Sequence, residues 1–223
     1  MRKNAGFTLI ELMITLVVAA LLLTWAVPSF ERFIRRTDLT SATNDWVGVL
    51  NYARNEAITR GKRVTICRSV NPNACNGSTN CLCGTSQPAP ANGVPNYHSG
   101  YLIFTSASNS LPLNFVAASD RLLRTGKAES NRVTIRGNAQ ANNAFSFMPD
   151  GTLDPNNVAG PATARQVICL ADSPADLSAS QNAKASDVSD TRAVIISAIG
   201  HSRISKLSGS STCAGNAADS LAP

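Results

Sequence analysis

The first 60 residues carry two successive hydrophobic patterns. From Phe7 to Val27, every residue is apolar or small except for threonine and Glu11. That run of 21 residues is close to the roughly 20 that a helix needs to cross a bilayer. A secretory signal would have a shorter apolar core with small residues after it, whereas here Gly6 stands in front. Residues 7–28 are therefore predicted to form a transmembrane helix.

A second, amphipathic helix is predicted over residues 29–61. Apolar residues recur there at three- and four-residue spacing, and charged residues fall largely elsewhere. Gly61 is predicted to cap the helix, and Arg60 beside it favours the helix dipole. The apolar positions are Leu39, Ala42, Trp46, Val49 or Leu50, Ala53 and Ala57.

Residues 62–223 alternate short β-branched or aromatic runs with Gly, Asn, Pro and Ser, which predicts a β-rich head. An antiparallel sheet packed on the long helix is expected, which is an α+β fold. Residues 148–153, MPDGTL, have turn chemistry, and residues 71–98 and 172–190 are expected to be surface loops. The predicted strands are 63–68, 100–105, 121–124, 132–136, 145–148, 166–171 and 192–197.

The charges and cysteines indicate the compartment. The basic leader, residues 1–6, keeps the start of the chain cytoplasmic by the positive-inside rule and sends the head to the far side. All six cysteines follow the apolar run, so disulfides are expected outside the cytoplasm. The net charge of +6 predicts no nucleic-acid binding by itself.

Glu11 is the unusual residue of the apolar run. A carboxylate at bilayer depth costs about 3 kcal/mol on insertion scales, so such a residue normally has a partner. No cation lies within the run. Cleavage between Gly6 and Phe7 would create an amino group four residues before Glu11. The same amino group on a neighbouring subunit could neutralise the carboxylate during packing, which makes Glu11 an assembly device.

The stretch GFTLIELMITLVV, residues 6–18, resembles the type III signal of type IV prepilins and type II secretion pseudopilins. The resemblance implies that a membrane prepilin peptidase cuts after Gly6 and N-methylates Phe7. It also implies that Glu11 aligns subunits in the filament core. Pro28 falls where many pilins have a helix-kinking proline.

Segments along the rest of the chain are similar, in order, to the GspH/FimT/FimU group of minor pilins and pseudopilins. They are residues 50–69, GYLIF, LLR, FMPDGTL and residues 192–203. The resemblance implies a pilin fold and a minor pilin that primes a type IV pilus or lies at its tip. A GspH-type pseudopilin of type II secretion is the alternative. Expected partners are other major and minor pilins or pseudopilins, prepilin peptidase and the inner-membrane assembly platform. The expected location is the bacterial inner membrane with a periplasmic head, then an extracellular pilus or a periplasmic pseudopilus.

The cysteines are expected to form three disulfides. A bond between Cys169 and Cys213 would close a loop of about 44 residues, worth roughly 4 kcal/mol in the chain-entropy model. Cys67, Cys75, Cys81 and Cys83 are expected to pair among themselves, which leaves three connectivities. A bond between Cys81 and Cys83 would be strained, which favours pairing each with Cys67 or Cys75. A four-thiolate zinc site is the disfavoured alternative, because Cys-x-Cys is not the usual zinc spacing.

No catalytic constellation can be identified. His98 and His201 lie near no nucleophile motif, there is no Gly-rich phosphate loop, and the acidic residues are scattered. The chain is therefore expected to be acted on by an enzyme and not to be one, with no cofactor or metal.

DNA binding is a further hypothesis. Some FimT-like members that resemble this chain bind DNA through a C-terminal strand and loop with a Gly-Arg-x-Arg pattern. Gly200 and Arg203 match that pattern, but His201 replaces the first arginine. Lys206 and Arg192 could add phosphate contacts, although non-specific binding needs several cations on one face. A solvated turn with ordinary surface charges is the simpler interpretation.

Overall fold

The computed structural model describes residues 7–69, 97, 100–106, 115–116, 119–126, 133–137, 144–154, 166–172 and 191–207. The chain divides into two compact units, residues 1–37 and residues 38–223, here called the N-terminal unit and the head unit. One long helix, α1 (Leu9–Arg60), contributes residues to both.

The end of α1 has the cap that the sequence predicts. Gly61 has a φ of 59°, a left-handed conformation that glycine adopts without a side-chain penalty. The N–H groups of Gly61 and Lys62 donate hydrogen bonds to the carbonyl oxygens of Ile58 and Ala57, each at 3.3 Å. These bonds satisfy carbonyls that the last helical turn leaves open, so the predicted C-cap is confirmed.

Within the described part of the head unit, eight strands form two antiparallel four-stranded sheets. The first sheet has the order β3-β2-β1-β5 and the second has the order β4-β6-β7-β8. The first sheet contains β1 (Val64–Arg68), β2 (Tyr101–Thr105), β3 (Arg121–Gly126) and β5 (Ala144–Phe147). The second contains β4 (Val133–Gly137), β6 (Gln166–Asp172), β7 (Thr191–Ile196) and β8 (Ser202–Leu207).

The expected α+β fold, a long helix packed on an antiparallel β-rich head, is confirmed. The described strands form two sheets where one was expected, and β8, the last described strand, was not predicted. Its sequence, SRISKL, alternates polar residues with single apolar ones, and it lies at an edge of its sheet with Arg203 and Ile204 exposed. Because such an edge strand buries little apolar area, its composition looks like that of a loop.

The amphipathic face of α1 packs on both sheets. The predicted apolar positions of the head unit are buried, and alternate residues of the strands complete one hydrophobic cluster with them. Trp46 is a buried member of this cluster, with its ring centroid 5.3 Å from that of Tyr97 and 5.2 Å from that of Tyr101. The buried helix residues are Leu39, Trp46, Val49, Leu50, Ala53 and Ala57, and Ala42 is partly buried against them.

A buried ion pair joins the segment between α1 and β1 to the segment after β5. Nη2 of Arg63 lies 2.7 Å from Oδ2 of Asp154, and these side chains are 5% and 0% exposed. Asp154 also donates its backbone N–H to the carbonyl oxygen of Ser146, at 3.0 Å. Charges removed from water in this way remain stable only while they are paired.

Candidate functional site

The start of α1 is built around Thr8. Its side-chain Oγ1 accepts a hydrogen bond from the N–H of Glu11 at 3.3 Å, and its carbonyl oxygen accepts one from the N–H of Leu12 at 3.2 Å. Thr8 is therefore the N-cap, with Glu11 at the third helical position, where a carboxylate also favours the helix dipole. Glu11 thus has a local role at the start of the helix, and its assembly role stays a prediction.

The N-terminal unit exposes an apolar surface around the helix. Phe7 is 83% exposed, and every described side chain from Leu9 to Thr24 is exposed too. A helix that is apolar all round normally lies in lipid or among other apolar helices. Among the described residues, no helix meets the length and hydropathy expected of a membrane span. Gly6 lies outside the described residues, and α1 continues through Pro28.

The C-terminal candidate residues lie on the hairpin of β7 and β8. Gly200 has a φ of 76° in the connecting turn and donates its N–H to the carbonyl oxygen of Ser197 at 2.8 Å. The backbone of His201 closes the same turn, because its carbonyl oxygen accepts the N–H of Ser197 at 2.9 Å. The His201 side chain is exposed.

Arg54 fixes this hairpin to the helix. Its Nε donates to the carbonyl oxygen of Gly151 at 3.0 Å, and its Nη2 donates to that of Ile199 at 3.2 Å. One helical side chain thereby joins the turn after β5 to the turn between β7 and β8. In the turn between β7 and β8, the carbonyl oxygen of Ala198 also accepts a hydrogen bond from the N–H of Leu153, at 2.9 Å.

The pairing of β7 with β8 divides the candidate DNA-binding residues between two faces. Arg192 is paired with Lys206, on the same face as Val194, which packs in the main core. Arg203 is paired with Ile195, whose side chain lies on the opposite face. The hairpin therefore brings Arg192 and Lys206 together and places Arg203 away from them.

Cys67 and Cys169 are both disulfide-bonded. Each lies on the sheet face away from α1, in a small buried cluster of its own, Cys67 with Leu102 and Phe104 and Cys169 with Val167 and Ile195. A sulfur in a disulfide is not a thiolate ligand, so Cys67 is not part of a zinc site. Cys75, Cys81, Cys83, Cys213 and His98 lie outside the described residues.

Two family models match the chain. Residues 1–27 match the prokaryotic N-terminal methylation motif. Residues 42–200, more than half of the chain, match the type II transport protein GspH model. The chain belongs to the GspH family. It is thus a type IV minor pilin or GspH-type pseudopilin, as the resemblance of the sequence predicts.

Curated relatives of this GspH-family chain include two fimbrial proteins of Pseudomonas aeruginosa. Each is 38% identical over 64 residues, which cover 29% of this chain and 41% of the relative. The chain therefore spans about two-fifths of the length of the curated relatives that it matches.

Among solved structures, the chain is similar to the type IV minor pilin FimU of Pseudomonas aeruginosa in two crystal forms. For one crystal form the TM-score is 0.45 and the identity is 16%, and the match covers 76% of this chain and 98% of the FimU chain. For the other the TM-score is 0.46 and the identity is 17%, and the match covers 81% of this chain and 98% of the FimU chain.

Membership of the GspH family has direct consequences. Pilins are structural proteins and not enzymes, which agrees with the prediction from the sequence. In the family, the N-terminal methylation motif is the signal for processing by prepilin peptidase, and the pilins that carry it are anchored in the inner membrane before they assemble with other pilins.

Two residues of the site were missed in the sequence. Thr8 stands three residues before Glu11, and Thr-x-x-Glu before an apolar run is the signature of a capping box, so this cap was predictable. Arg54 gave no comparable signal, because its partners are carbonyl oxygens about 100 and 145 residues away in sequence.

Proposed function

We propose that this GspH-family chain is a minor pilin that primes assembly of a type IV pilus or lies at its tip. Prepilin peptidase cleaves after Gly6 and methylates the amino group of Phe7. The mature chain then leaves the inner membrane through the assembly platform and joins major and minor pilins.

One observation carries this proposal: the first turn of α1 combines the Thr8 cap, the Glu11 carboxylate and an apolar surface exposed on all sides. The apolar surface needs lipid or neighbouring helices, and Glu11 needs a positive partner once water is excluded. The amino group of Phe7 on an adjacent subunit supplies that charge. Packing and charge neutralisation together then set the register of the helix.

A position at one end of the filament follows from the proposed role as a minor subunit. A subunit present in few copies affects a whole filament only where the filament begins or ends. We therefore expect antibody labelling at pilus ends and not along the shaft. Deletion of the gene should reduce the number of pili more than the length of those that remain.

The experiment that tests the assembly role compares two carboxylates of one helix. Glu11→Ala should reduce the amount of this chain in sheared filaments at least tenfold, because the neighbouring amino group is left buried and unpaired. Glu31→Ala, which removes an exposed carboxylate beyond the apolar run, is the matched control and should assemble like the parent. Equal assembly of Glu11→Ala and the parent would contradict the proposal.

The second candidate is a minor pseudopilin of a type II secretion system, which the description of the matching GspH family model favours. The two candidates differ in what deletion removes. Loss of surface pili with normal protein secretion supports the type IV pilus. Loss of secretion with normal pili supports the pseudopilus.

A further inference from the structure

Three arginines follow the apolar run of α1 and have no role in the function proposed above. Arg32, Arg35 and Arg36, here called the arginine cluster, belong to the helix. In the sequence, no other lysine or arginine stands between Phe7 and Arg54. The side chains of Arg35 and Arg36 are exposed. The cluster therefore holds the first lysine or arginine residues that the mature chain would have.

The spacing of the arginine cluster places it on one side of the helix. Its positions are three and four residues apart or adjacent, so at 3.6 residues per turn they fall within about 100° of the helix circumference. Glu31 and Asp38 fall outside this sector. Arg32 and Arg36 are four residues apart, and like charges at this spacing destabilise a helix. A bound anion would remove that repulsion.

The arginine cluster begins close to the end of the apolar run. Arg32 and Arg36 are five and nine residues beyond Val27, which corresponds to about 7–14 Å of helix. The 21-residue run matches a hydrocarbon core of about 30 Å, and headgroups add roughly 5–8 Å on each side. The Cα–Cβ bonds of a helix tilt toward its N-terminus, and arginine side chains near a membrane reach back to the interface. When the run lies in the inner membrane, the cluster is thus within reach of the headgroups.

Two aromatic residues at the same level of the helix fit this location. Phe30 and Phe33 are 63% and 65% exposed, and both fall outside the sector of the arginine cluster. A helix segment with bulky apolar residues on one side and basic residues on another is typical of the boundary between acyl chains and headgroups.

Membrane insertion does not explain the arginine cluster. By the positive-inside rule, three arginines on the far side oppose the orientation that Arg2 and Lys3 of the leader favour. Residues that oppose insertion are expected to have another role. A guanidinium binds phosphate oxygens through paired, charge-assisted hydrogen bonds, and lipid phosphates lie at the level of the cluster. A phospholipid whose phosphate charge is not neutralised by a headgroup amine complements it best.

We propose that the arginine cluster binds the phosphate groups of anionic phospholipids in the periplasmic leaflet of the inner membrane. Arg36 also has an interaction within the chain, and a guanidinium with five N–H donors can keep it while binding a phosphate oxygen. The bound lipid holds the mature subunit at a depth that keeps Glu11 inside the bilayer until assembly. This inference rests on the inner-membrane stage of the proposed function.

The lipid selectivity of the full chain in nanodiscs tests this site. Spin-labelled phosphatidylglycerol or phosphatidylcholine, added in trace amounts to phosphatidylcholine nanodiscs, reports how strongly each lipid is held at the protein. The parent should prefer phosphatidylglycerol by about fivefold or more at low salt, because each basic residue near an anionic lipid contributes about that factor. The preference should shrink at high salt, which screens the charges.

Three variants separate charge from structure. The triple variant Arg32→Gln, Arg35→Gln and Arg36→Gln should lose the preference for phosphatidylglycerol, whereas lysine at the same three positions keeps the charges and should retain a large part of it. Glu31→Gln is the matched control at the same level of the helix and should not weaken the preference, because it removes a carboxylate. All three should fold, since glutamine and lysine are good helix formers.

Equal lipid selectivity of the parent and the glutamine triple variant, or no selectivity in the parent, would overturn the proposal. A triple variant that keeps the selectivity but no longer enters filaments would overturn it too, and would show that the cluster contacts an acidic segment of a neighbouring pilin. The nanodisc measurement needs no filament. Absence of the parent chain from sheared filaments would therefore refute the proposed function, and the nanodisc result would still decide the lipid site.

Discussion

Gly200 lies directly against the backbone of Gly151, so that a β-carbon at position 200 would overlap the Gly151 carbonyl oxygen. The same carbonyl accepts the hydrogen bond from Nε of Arg54. Two turns that are 49 residues apart in sequence thus meet under one helical side chain. This junction fixes the β7–β8 hairpin in the head unit.

Gly200→Ala should destabilise the chain by about 2–3 kcal/mol. Alanine is unfavourable in the left-handed conformation, and its β-carbon would clash with the carbonyl oxygen of Gly151. A backbone atom cannot move away by a change of rotamer as a side chain could. Thermal unfolding of the full chain in detergent measures the loss. Gly48→Ala is the matched control and should be neutral or stabilising by up to ~1 kcal/mol, because its position is helical and open. Equal stabilities of the two variants would refute this account of the junction.

Removing one member of the Arg63–Asp154 pair should cost more than removing both. Arg63→Met or Asp154→Leu alone leaves a buried charge without its partner, which typically costs about 3–5 kcal/mol. The double variant leaves neither charge and should recover a large part of that loss. Denaturant unfolding of the four proteins gives the coupling energy directly. Additive losses would show that the pair does not act as a unit.

The disulfide of Cys169 should stabilise the head by about 2–5 kcal/mol. If Cys213 is its partner, Cys169→Ser and Cys213→Ser should cause equal losses, and the double variant should lose no more than either. Peptide mapping without reduction identifies the pair independently. A peptide that links Cys169 to Cys75, Cys81 or Cys83 would contradict the predicted connectivity.

The packing face of α1 and most of the strands could be predicted from the sequence, because both depend on which residues are buried. The spacing of Leu39, Trp46 and Ala53 fixes the face of α1 that packs on the sheets, and Gly61 marks its end. Most of the predicted strands have β-branched or aromatic residues that bury a face, whereas the predicted strand 121–124, RLLR, has only leucines, which are half-buried. The division into two sheets depends instead on which strands pair, and strand order has no local signal.

The candidate site was predictable only where its chemistry is local. Glu11 stands out because a charge in an apolar run is costly, and the Thr8 cap lies within one turn of it. The residues of the β7–β8 hairpin are close in sequence, but the register of pairing decides which face each side chain occupies. Side chains alternate between the two faces of a strand, so Arg203 and Lys206 lie on opposite faces of β8. The sequence motif alone does not reveal this.

The register also defines a test of DNA binding. His201 precedes Arg203 by two residues, so His201→Arg would place a second guanidinium on the side of Arg203, whereas Lys206 lies on the opposite face. If DNA binds at Arg203, His201→Arg should raise affinity at low salt and steepen the salt dependence by about one counterion. Lys206→Ala should change little. Binding that is unaffected by His201→Arg in titrations at low and high salt would dismiss this site.

The central claim is that cleavage after Gly6 produces the amino group that compensates Glu11 in the assembled filament. Mass spectrometry of sheared surface filaments tests it most directly, because it reads the first residue of the chain together with its modification. The account predicts a mature chain that begins at N-methylated Phe7 and accompanies other pilins. A chain in those filaments that still carries residues 1–6 would contradict it.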